Sequence, residues 1–378
     1  MERAYQVCTR CISDTRIEEI RFDEKGECNY CKMHDALEVQ FPTGEQGKKK
    51  LAKLVEKIKD SGRGKEYDCI VGVSGGRDST YTLYTAVKLG LRPLATHFDN
   101  GWNSEIAVSN IKNAVRKLNV DLYTHVADWE EFKSLQLSFL RASVSDAEVP
   151  TDVAIFGTLH KAAAQEKVHY ILNGHSFRTE GIVPLSWTYM DGRYINSVHR
   201  KFGGKTLKTV PNFTLWDLFD YTFIKRIEVI PLLNYIDYKH EEVDHMLKTE
   251  LAWEYYGGHH HESYYTNFFQ SFLLPQKFNI DKRMLEYSAL VRSGQMARES
   301  ALKEFMSVHY TFSEELVDYT LRKLGLSVEE FQRIMKQPPK SFKDYPSYYP
   351  IVKIMQLPIK AAADLGLIPT LLYQKYFA

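Results

Sequence analysis

The chain has no long hydrophobic run. No stretch approaches the roughly 18 consecutive apolar residues of a membrane-spanning helix, so no membrane association is expected. It has no excess of one charge either. Lys and Arg number 49 and Asp and Glu 48, a formal net charge of +1, and nothing in that balance suggests bulk nucleic-acid binding. The opening residues, MERAYQVCTRC, lack an apolar signal-peptide region. A soluble cytoplasmic protein is the expectation. Internal repeats and low-complexity tracts are missing. Cysteine is scarce and unevenly placed, with five in 378 residues and only Cys69 beyond position 31. What is present in quantity is hydrophobic residues at 44%, enough for a sizeable core and two domains with small appendages. Aromatics reach 13%, which fits core and interface packing or a carbohydrate-like substrate.

The chain is organised around Asp68 to Gly90, DCIVGVSGGRDSTYTLYTAVKLG. Cys69, Ile70, Val71 and Val73 read as a buried strand, and a helix follows from Asp78 or Ser79 to about Gly90. Between them lies Ser74-Gly75-Gly76. A helix N-terminus presents unpaired N–H groups and a partial positive charge. Two glycines let the backbone approach an anion, and Ser74 and Ser79 add hydroxyl donors. The pattern points to phosphate. Asp78 fits such a site if magnesium lies between carboxylate and phosphate. No G-x-x-x-x-G-K-[ST] and no G-x-G-x-x-G is present, which excludes a Walker loop and a dinucleotide fingerprint.

Strands and helices then alternate: Arg92–Phe98, a helix capped by Ser104 with Ile106, Val108, Ile111, Val115 and Leu118 inward, Asp121–Val126, helices over 128–148 and 149–167, and His169–Asn173. This argues for an α/β fold with a doubly wound, mostly parallel sheet, whose ligands lie beyond the strand ends. Asp99-Asn100-Gly101 is there, as contact or as simple turn. Gly174-His175-Ser176 faces the same crevice, so His175, Arg178 and Glu180 lie where substrate belongs, or else are surface charges and satisfied core groups.

Cys8-x-x-Cys11 and Cys28-x-x-Cys31, 16 residues apart, have the spacing of a four-cysteine zinc ribbon. A disulfide pairing needs an oxidising compartment that nothing else supports, and an iron–sulfur cluster suits thiolates too. The expected divisions are a ribbon over 1–40, a linker and helix over 41–66, a catalytic domain over 67–255 and a helical region over 256–378. Within the third, Trp187, Tyr189, Asp191, Tyr194 and His199 read as a substrate-covering insertion with strand-like residues. The consecutive histidines 259–261 read as a loop rather than a metal site. Leu357 to Leu372 reads as a docked apolar helix.

The order S-G-G-x-D-S after an apolar strand resembles the PP-loop of the ATP pyrophosphatase superfamily, of adenine nucleotide alpha hydrolase-like fold. That resemblance implies that Val73, Ser74, Gly75, Gly76, Arg77, Asp78 and Ser79 hold pyrophosphate and magnesium. His97, Phe98, Asp99, Asn100, Asn173 and Gly174 then meet the rest of ATP. The whole chain further resembles the N-acetyl sugar amidotransferases of O-antigen and nonulosonic-acid synthesis, through CTRC, CNYC, VGVSGGRDSTY, HFDNGW, ILNGHSFRTEG and WEYYGGHHHESYYTNFFQSFLLPQKFNIDKRMLEYSALVRSGQMARESAL. The resemblance implies adenylation of an acetamido oxygen on a nucleotide-linked or nonulosonic sugar, then attack by ammonia to give an acetamidine. Asp78, His175, Arg178 and Glu180 are its implied catalytic groups, and structural zinc its implied metal. With Cys69 in a strand interior, the chain lacks a credible glutaminase nucleophile. A partner glutaminase with a cyclase-like subunit is therefore expected to supply ammonia. The alternatives are a PP-loop enzyme that thiolates tRNA and a ribbon scaffold that binds nucleotide without turnover.

Overall fold

In the computed structural model, which describes residues 4–258, 261–307, 312–364, 373 and 376–377, five parallel strands form one sheet: β1 (Cys69–Gly72), β2 (Pro93–Asp99), β3 (Leu122–Val126), β4 (Tyr170–Asn173) and β5 (Glu228–Pro231). Their order is β3-β2-β1-β4-β5. Val71 pairs with Ala95 on one side and Leu172 on the other. The chain thus winds outward through β2 and β3, then returns to the far side of β1. That reversal opens a crevice between the ends of β1 and β4.

Both faces of the central strands are covered, which is why β1, β2 and β4 are buried along their length without alternation, whereas the edge strand β3 alternates between exposed and half-buried residues. On one face Cys69, Val71 and Leu172 pack with α1 (Asn29–Gln40) left aside and α2 (Gly44–Ser61) and α3 (Arg77–Lys88) in place, through Val55, Ile58, Leu83 and Ala86. The helix α4 (Glu105–Leu118) joins that layer through Ile111 and Ala114. Ser104 caps it, its Oγ accepting from Ala107 N at 3.1 Å. Val108 is 52% exposed and not inward as its spacing suggested, because the buried stripe runs through Ala107, Asn110, Ile111 and Ala114. After α5 (Trp129–Ala142), α6 (Val149–Gln165) covers the opposite face, where Leu159, Ala162 and Ala163 meet Ile70, Leu94 and Ile171.

The expected substrate-covering insertion is a different object. Its strand-like residues form a helix, α7 (Gly192–Phe202), capped by Asp191, and Trp187, Tyr189, Tyr194 and His199 are all buried. They belong to a third packing layer with α5 and the C-terminal helices, and none lines the cavity described below. The aromatic residues are there to fill that layer. Next come α8 (Leu215–Phe219), which runs into a π turn, and α9 (His240–Leu251) on the α3 side.

The C-terminal region is helical: α10 (Tyr264–Phe268), a π turn (Phe269–Leu273), α11 (Leu274–Phe278), α12 (Arg283–Arg292), α13 (Arg298–Ser307), α14 (Glu314–Leu324), α15 (Val328–Lys336), α16 (Tyr349–Ile354) and α17 (Gln356–Asp364). Among the described residues it has no core of its own. One apolar cluster runs from Cys8, Ile12 and Leu37 through Phe132 and Tyr194 to Phe268, Leu285 and Phe331. Residues 365–372 of the expected terminal helix lie outside the described residues, as do two of the three consecutive histidines, and Leu357 on α17 is 77% exposed. Among the described residues no helix is long and apolar enough to cross a membrane.

Candidate active site and four-cysteine centre

The turn between β1 and α3 is held from outside. Gly75 has φ +80°, and a Cβ there would lie 2.3 Å from the carbonyl oxygen of Ala107. Its own carbonyl accepts from Trp253 Nε1 at 3.0 Å and Asn110 Nδ2 at 3.1 Å. Only glycine permits that fit. Gly174, just past β4, packs so closely on the first turn of α3 that a Cβ would meet Asp78 C and O at 2.8 Å. The two strand ends are thereby locked around the start of α3. Ser79 Oγ accepts from Ser74 N at 3.1 Å and lies 3.1 Å from Ser74 Oγ.

A cavity of about 340 Å³ opens beyond these strand ends. Of the residues expected to bind ATP, Val73, Ser74, Ser79, His97, Phe98, Asn100, Asn173 and Gly174 line it. His97 is buried there, with Nδ1 2.8 Å from Val73 O and Nε2 3.0 Å from Asn103 Nδ2. Burial lowers its pKa. A neutral ring that donates from Nδ1 and accepts at Nε2 satisfies both contacts.

Others lie outside the cavity lining. Asp99 folds back on its own turn, accepting from Gly101 N at 2.9 Å and Asn103 Nδ2 at 3.1 Å, so the turn reading applies to it. Gly75, Gly76, Arg77 and Asp78 form the back of the loop. Arg77 is ion-paired with Asp244 on α9, and the Asp78 carboxylate accepts from the Tyr238 hydroxyl. His175 Nδ1 lies 3.0 Å from Glu180 Oε2, with the imidazole half exposed. Arg178 takes a structural position instead of a substrate-facing one. It is 5% exposed, binds both carboxylate oxygens of Glu38 at 2.8 and 2.6 Å, and donates to the carbonyls of Asn234 and Phe41. It fastens α1 to the loop after β4. Burial works to raise the Glu38 pKa, but the adjacent His34 ring, 3.4 Å away, and the hydrogen bonds from Arg178 outweigh it and hold the carboxyl at about 2.

The sequence reading missed the other wall of the cavity. Glu148, Thr151, Asp152 and Ile155 come from the start of α6, and Glu262, Ser263, Thr266, Gln270 and Lys282 from the C-terminal region. Residues 262–264 reach the site by pairing with the loop after β2. Ser104 N donates to Glu262 O at 2.8 Å, Tyr264 N donates to Trp102 O at 2.9 Å, and Asn103 bridges Ser263. Glu262 Oε1 then accepts from Ser74 Oγ at 3.3 Å. No periodicity within 262–282 signals contact with a turn some 190 positions earlier. Three buried side-chain atoms on the lining, Thr96 Oγ1, Asn173 Oδ1 and Gln270 Oε1, have no hydrogen-bond partner among the described residues. Buried polar atoms are rarely left so, and in a cavity they fit a polar ligand.

The second centre is the ribbon. Cys8, Cys11, Cys28 and Cys31 are fully buried, with their sulfurs all within 4.8 Å of one another. Sulfur pairs stand at 3.8, 3.7 and 3.6 Å. A tetrahedral ion with metal–sulfur bonds of about 2.3 Å sets an edge of about 3.8 Å. The geometry fits one tetrahedral ion, leaves no room for a cluster, and contains no disulfide. Arg292, at the end of α12, donates from Nη2 to Cys11 Sγ at 3.1 Å and from Nε to Cys31 Sγ at 3.4 Å. Arg298 adds bonds to the carbonyls of Cys8 and Cys11.

The fold and site define an α/β protein whose parallel sheet ends in a glycine turn, with Ser74 and Ser79 of that turn lining a cavity. Comparison with known proteins adds the following. Residues 262–358 match the family "LPS biosynthesis protein WbpG-like, C-terminal domain". An uncharacterized protein from Methanocaldococcus jannaschii is 30% identical over 118 residues, which is 30% of this chain. That match spans 40% of the relative's length. Among solved structures, NMN synthetase from Francisella tularensis is similar with a TM-score of 0.33 and 14% identity, covering 75% of this chain and 95% of that one.

Proposed function

We propose that the protein is an ATP-dependent amidotransferase of lipopolysaccharide biosynthesis, which converts the N-acetyl group of a nucleotide-linked or nonulosonic sugar to an acetamidino group. One observation carries this reading. The segment that matches a lipopolysaccharide-biosynthesis family supplies Glu262, Gln270 and Lys282 to the cavity whose other wall is the Ser74–Ser79 turn.

An amide oxygen is a poor leaving group. Joining it to the α-phosphorus of ATP, with loss of pyrophosphate, makes it a good one. Ammonia then adds to the carbon, and AMP departs with the former acetamido oxygen. The hydroxyls of Ser74 and Ser79, which line the cavity at the start of α3, suit the departing pyrophosphate. Asp78 and Glu262 flank the turn, and both act on the buried Tyr256 phenol, whose pKa rises through burial first and then through these charges. They are the residues that would hold magnesium, which when bound neutralises charge on the phosphates. The wall from α6 and the C-terminal region keeps water from the activated intermediate. Arg178 has no part in these steps, and His175 with Glu180 is left to manage protons at the rim.

Zinc is the proposed ion of the four cysteines, in a structural role, since a closed Cys₄ set leaves no open position. Ammonia comes from a partner glutaminase with its cyclase-like subunit. Cys69 is fully buried in β1 and burial pushes its thiol pKa up, the opposite of what a nucleophile needs. The same point disfavours tRNA thiolation, because no cysteine lines the cavity.

The test uses the purified chain with ATP, magnesium, an ammonium salt and UDP-diacetamido sugars labelled with heavy oxygen in the acetamido groups. AMP that carries the heavy oxygen, together with a cationic sugar product, is the expected result. Accumulation of ADP, or AMP formation independent of sugar, overturns the reading. Glutamine is expected to replace ammonium only after the glutaminase is added.

A further inference from the structure

Gln270 is 3% exposed, lines the cavity, and has its Oε1 without a hydrogen-bond partner among the described residues. It sits in the π turn Phe269–Leu273 that continues α10. Such turns re-aim side chains and recur at functional sites. Thr266, four residues earlier on the same face, donates its hydroxyl to Glu148 at the start of α6, which fixes this wall against the sheet side. Lys282, just before α12, also lines the cavity. Its ammonium lies 5.7 Å from the centre of the Phe269 ring and has no ion pair among the described residues. A buried carboxamide oxygen left unpaired is costly, and the part-exposed Lys282 brings a positive charge to the same cavity. Both are accounted for by a ligand that brings an N–H donor and an anionic group.

We infer that these residues form the acceptor subsite: Gln270 Oε1 receives the N–H of the substrate's acetamido group, and Lys282 takes its phosphate or carboxylate. This rests on the function proposed above. A trans secondary amide points its carbonyl and its N–H in opposite directions. With the carbonyl oxygen turned toward the nucleotide at the strand ends, the N–H faces Gln270. As the oxygen bonds to the α-phosphorus and the bond to pyrophosphate breaks, the C–N bond gains double-bond character and the nitrogen gains positive charge. The N–H becomes a stronger donor at that moment. A fixed acceptor there binds the transition state more tightly than the ground state. When ammonia adds, two of its protons stay on the amidinium and the third leaves with the phosphate oxygen of AMP.

The experiment compares wild type with Q270L, Q270E and K282M, using ATP, magnesium, ammonium and the UDP-diacetamido sugars. Q270L is expected to lower kcat for AMP formation about ten- to hundred-fold, the loss of a hydrogen bond to a charged donor. Its affinity for a non-hydrolysable ATP analogue is expected to stay within about two-fold of wild type. Its Tm is expected not to fall, since the substitution removes an unpaired buried polar group. Q270E keeps an acceptor and is expected to turn over faster than Q270L, while K282M raises KM for the sugar with kcat retained. Wild-type kcat in Q270L, or a drop matched by lost ATP affinity, overturns the Gln270 assignment while the amidotransferase reading stands. An unchanged KM in K282M overturns the Lys282 assignment. If wild type itself forms no sugar-dependent AMP, the reading and this subsite fall together.

Discussion

Arg292 Nη2 donates to the sulfur of Cys11 across 3.1 Å, and to Ser13 Oγ at the same distance. The contact joins the last turn of α12 to the four-cysteine set, 281 positions away. Four thiolates around a divalent ion carry a net charge of about −2, and a guanidinium at the edge offsets part of it. Lys282 stands at the other end of the same helix. The helix α12 has 10 residues, so at about 1.5 Å per residue some 15 Å of rigid rod separate the four-cysteine centre from the cavity. Integrity of the ribbon therefore sets the position of a cavity-lining lysine.

Metal removal is predicted to loosen both ends of that rod. Chelation at neutral pH, or Arg292→Met, is expected to increase amide exchange over residues 283–292 as well as 8–31. The substitution removes hydrogen bonds to charged sulfurs, a loss on the order of 1.5–3 kcal/mol, read as a lower Tm. Exchange that rises only within residues 8–31 would show the ribbon to be an independent appendage.

The family resemblance groups Arg178 with Asp78 as catalytic. The structure separates them, and the variants are predicted to differ in kind. Arg178→Met leaves Glu38 part-buried without its cation and is expected to cost about 3–5 kcal/mol of stability, with little change in kcat per folded molecule. Asp78→Asn keeps its place on α3, so Tm is expected to shift little. Its AMP formation is expected to drop at least about a hundred-fold, the scale seen when a charged group acting on the reacting phosphates is lost. Equal loss of kcat in both variants would reject the separation.

What the sequence showed and what it hid follow from the range of the forces involved. The strand–turn–helix of Cys69 to Lys88, the parallel sheet and the Cys-x-x-Cys pairs are local patterns, and each was legible. Periodicity also placed Leu83 and Ile111 in the core correctly. At 187–199, aromatics among glycines and strand-like residues suggest a substrate-covering insertion, and the structure buries them instead. Tyr189 stacks on Phe342 with ring centroids 4.2 Å apart, a contact over some 150 positions that no local pattern encodes. The second wall of the cavity was hidden for the same reason. Glu262, Gln270 and Lys282 reach it through backbone pairing of 262–264 with the loop after β2, and that pairing has no signature of its own.

His240 supplies the last prediction, on pH. It begins α9 behind the turn between β1 and α3, with its ring 5.5 Å from that of Tyr238. Burial is the larger cause and the nearby Arg77 cation the second, and together they lower its pKa to about 4, against partial opposition from Asp244 and Glu180. In the unfolded chain the ring titrates near 6.5. As pH falls from about 6.5 toward 4, the unfolded state binds a proton that the folded state refuses, so stability declines across that window and this contribution is flat above it. At one pKa unit for about 1.4 kcal/mol, the loss by pH 4 is on the order of 2–3 kcal/mol. Denaturation midpoints measured at pH 8, 6 and 4 are expected to fall less in His240→Gln than in wild type, and the difference between the two is expected to grow only below pH 6.5. Parallel curves for the two proteins would mean that His240 takes up its proton equally well in the folded state, and that Arg77 is neutralised by Asp244 too fully to repel it.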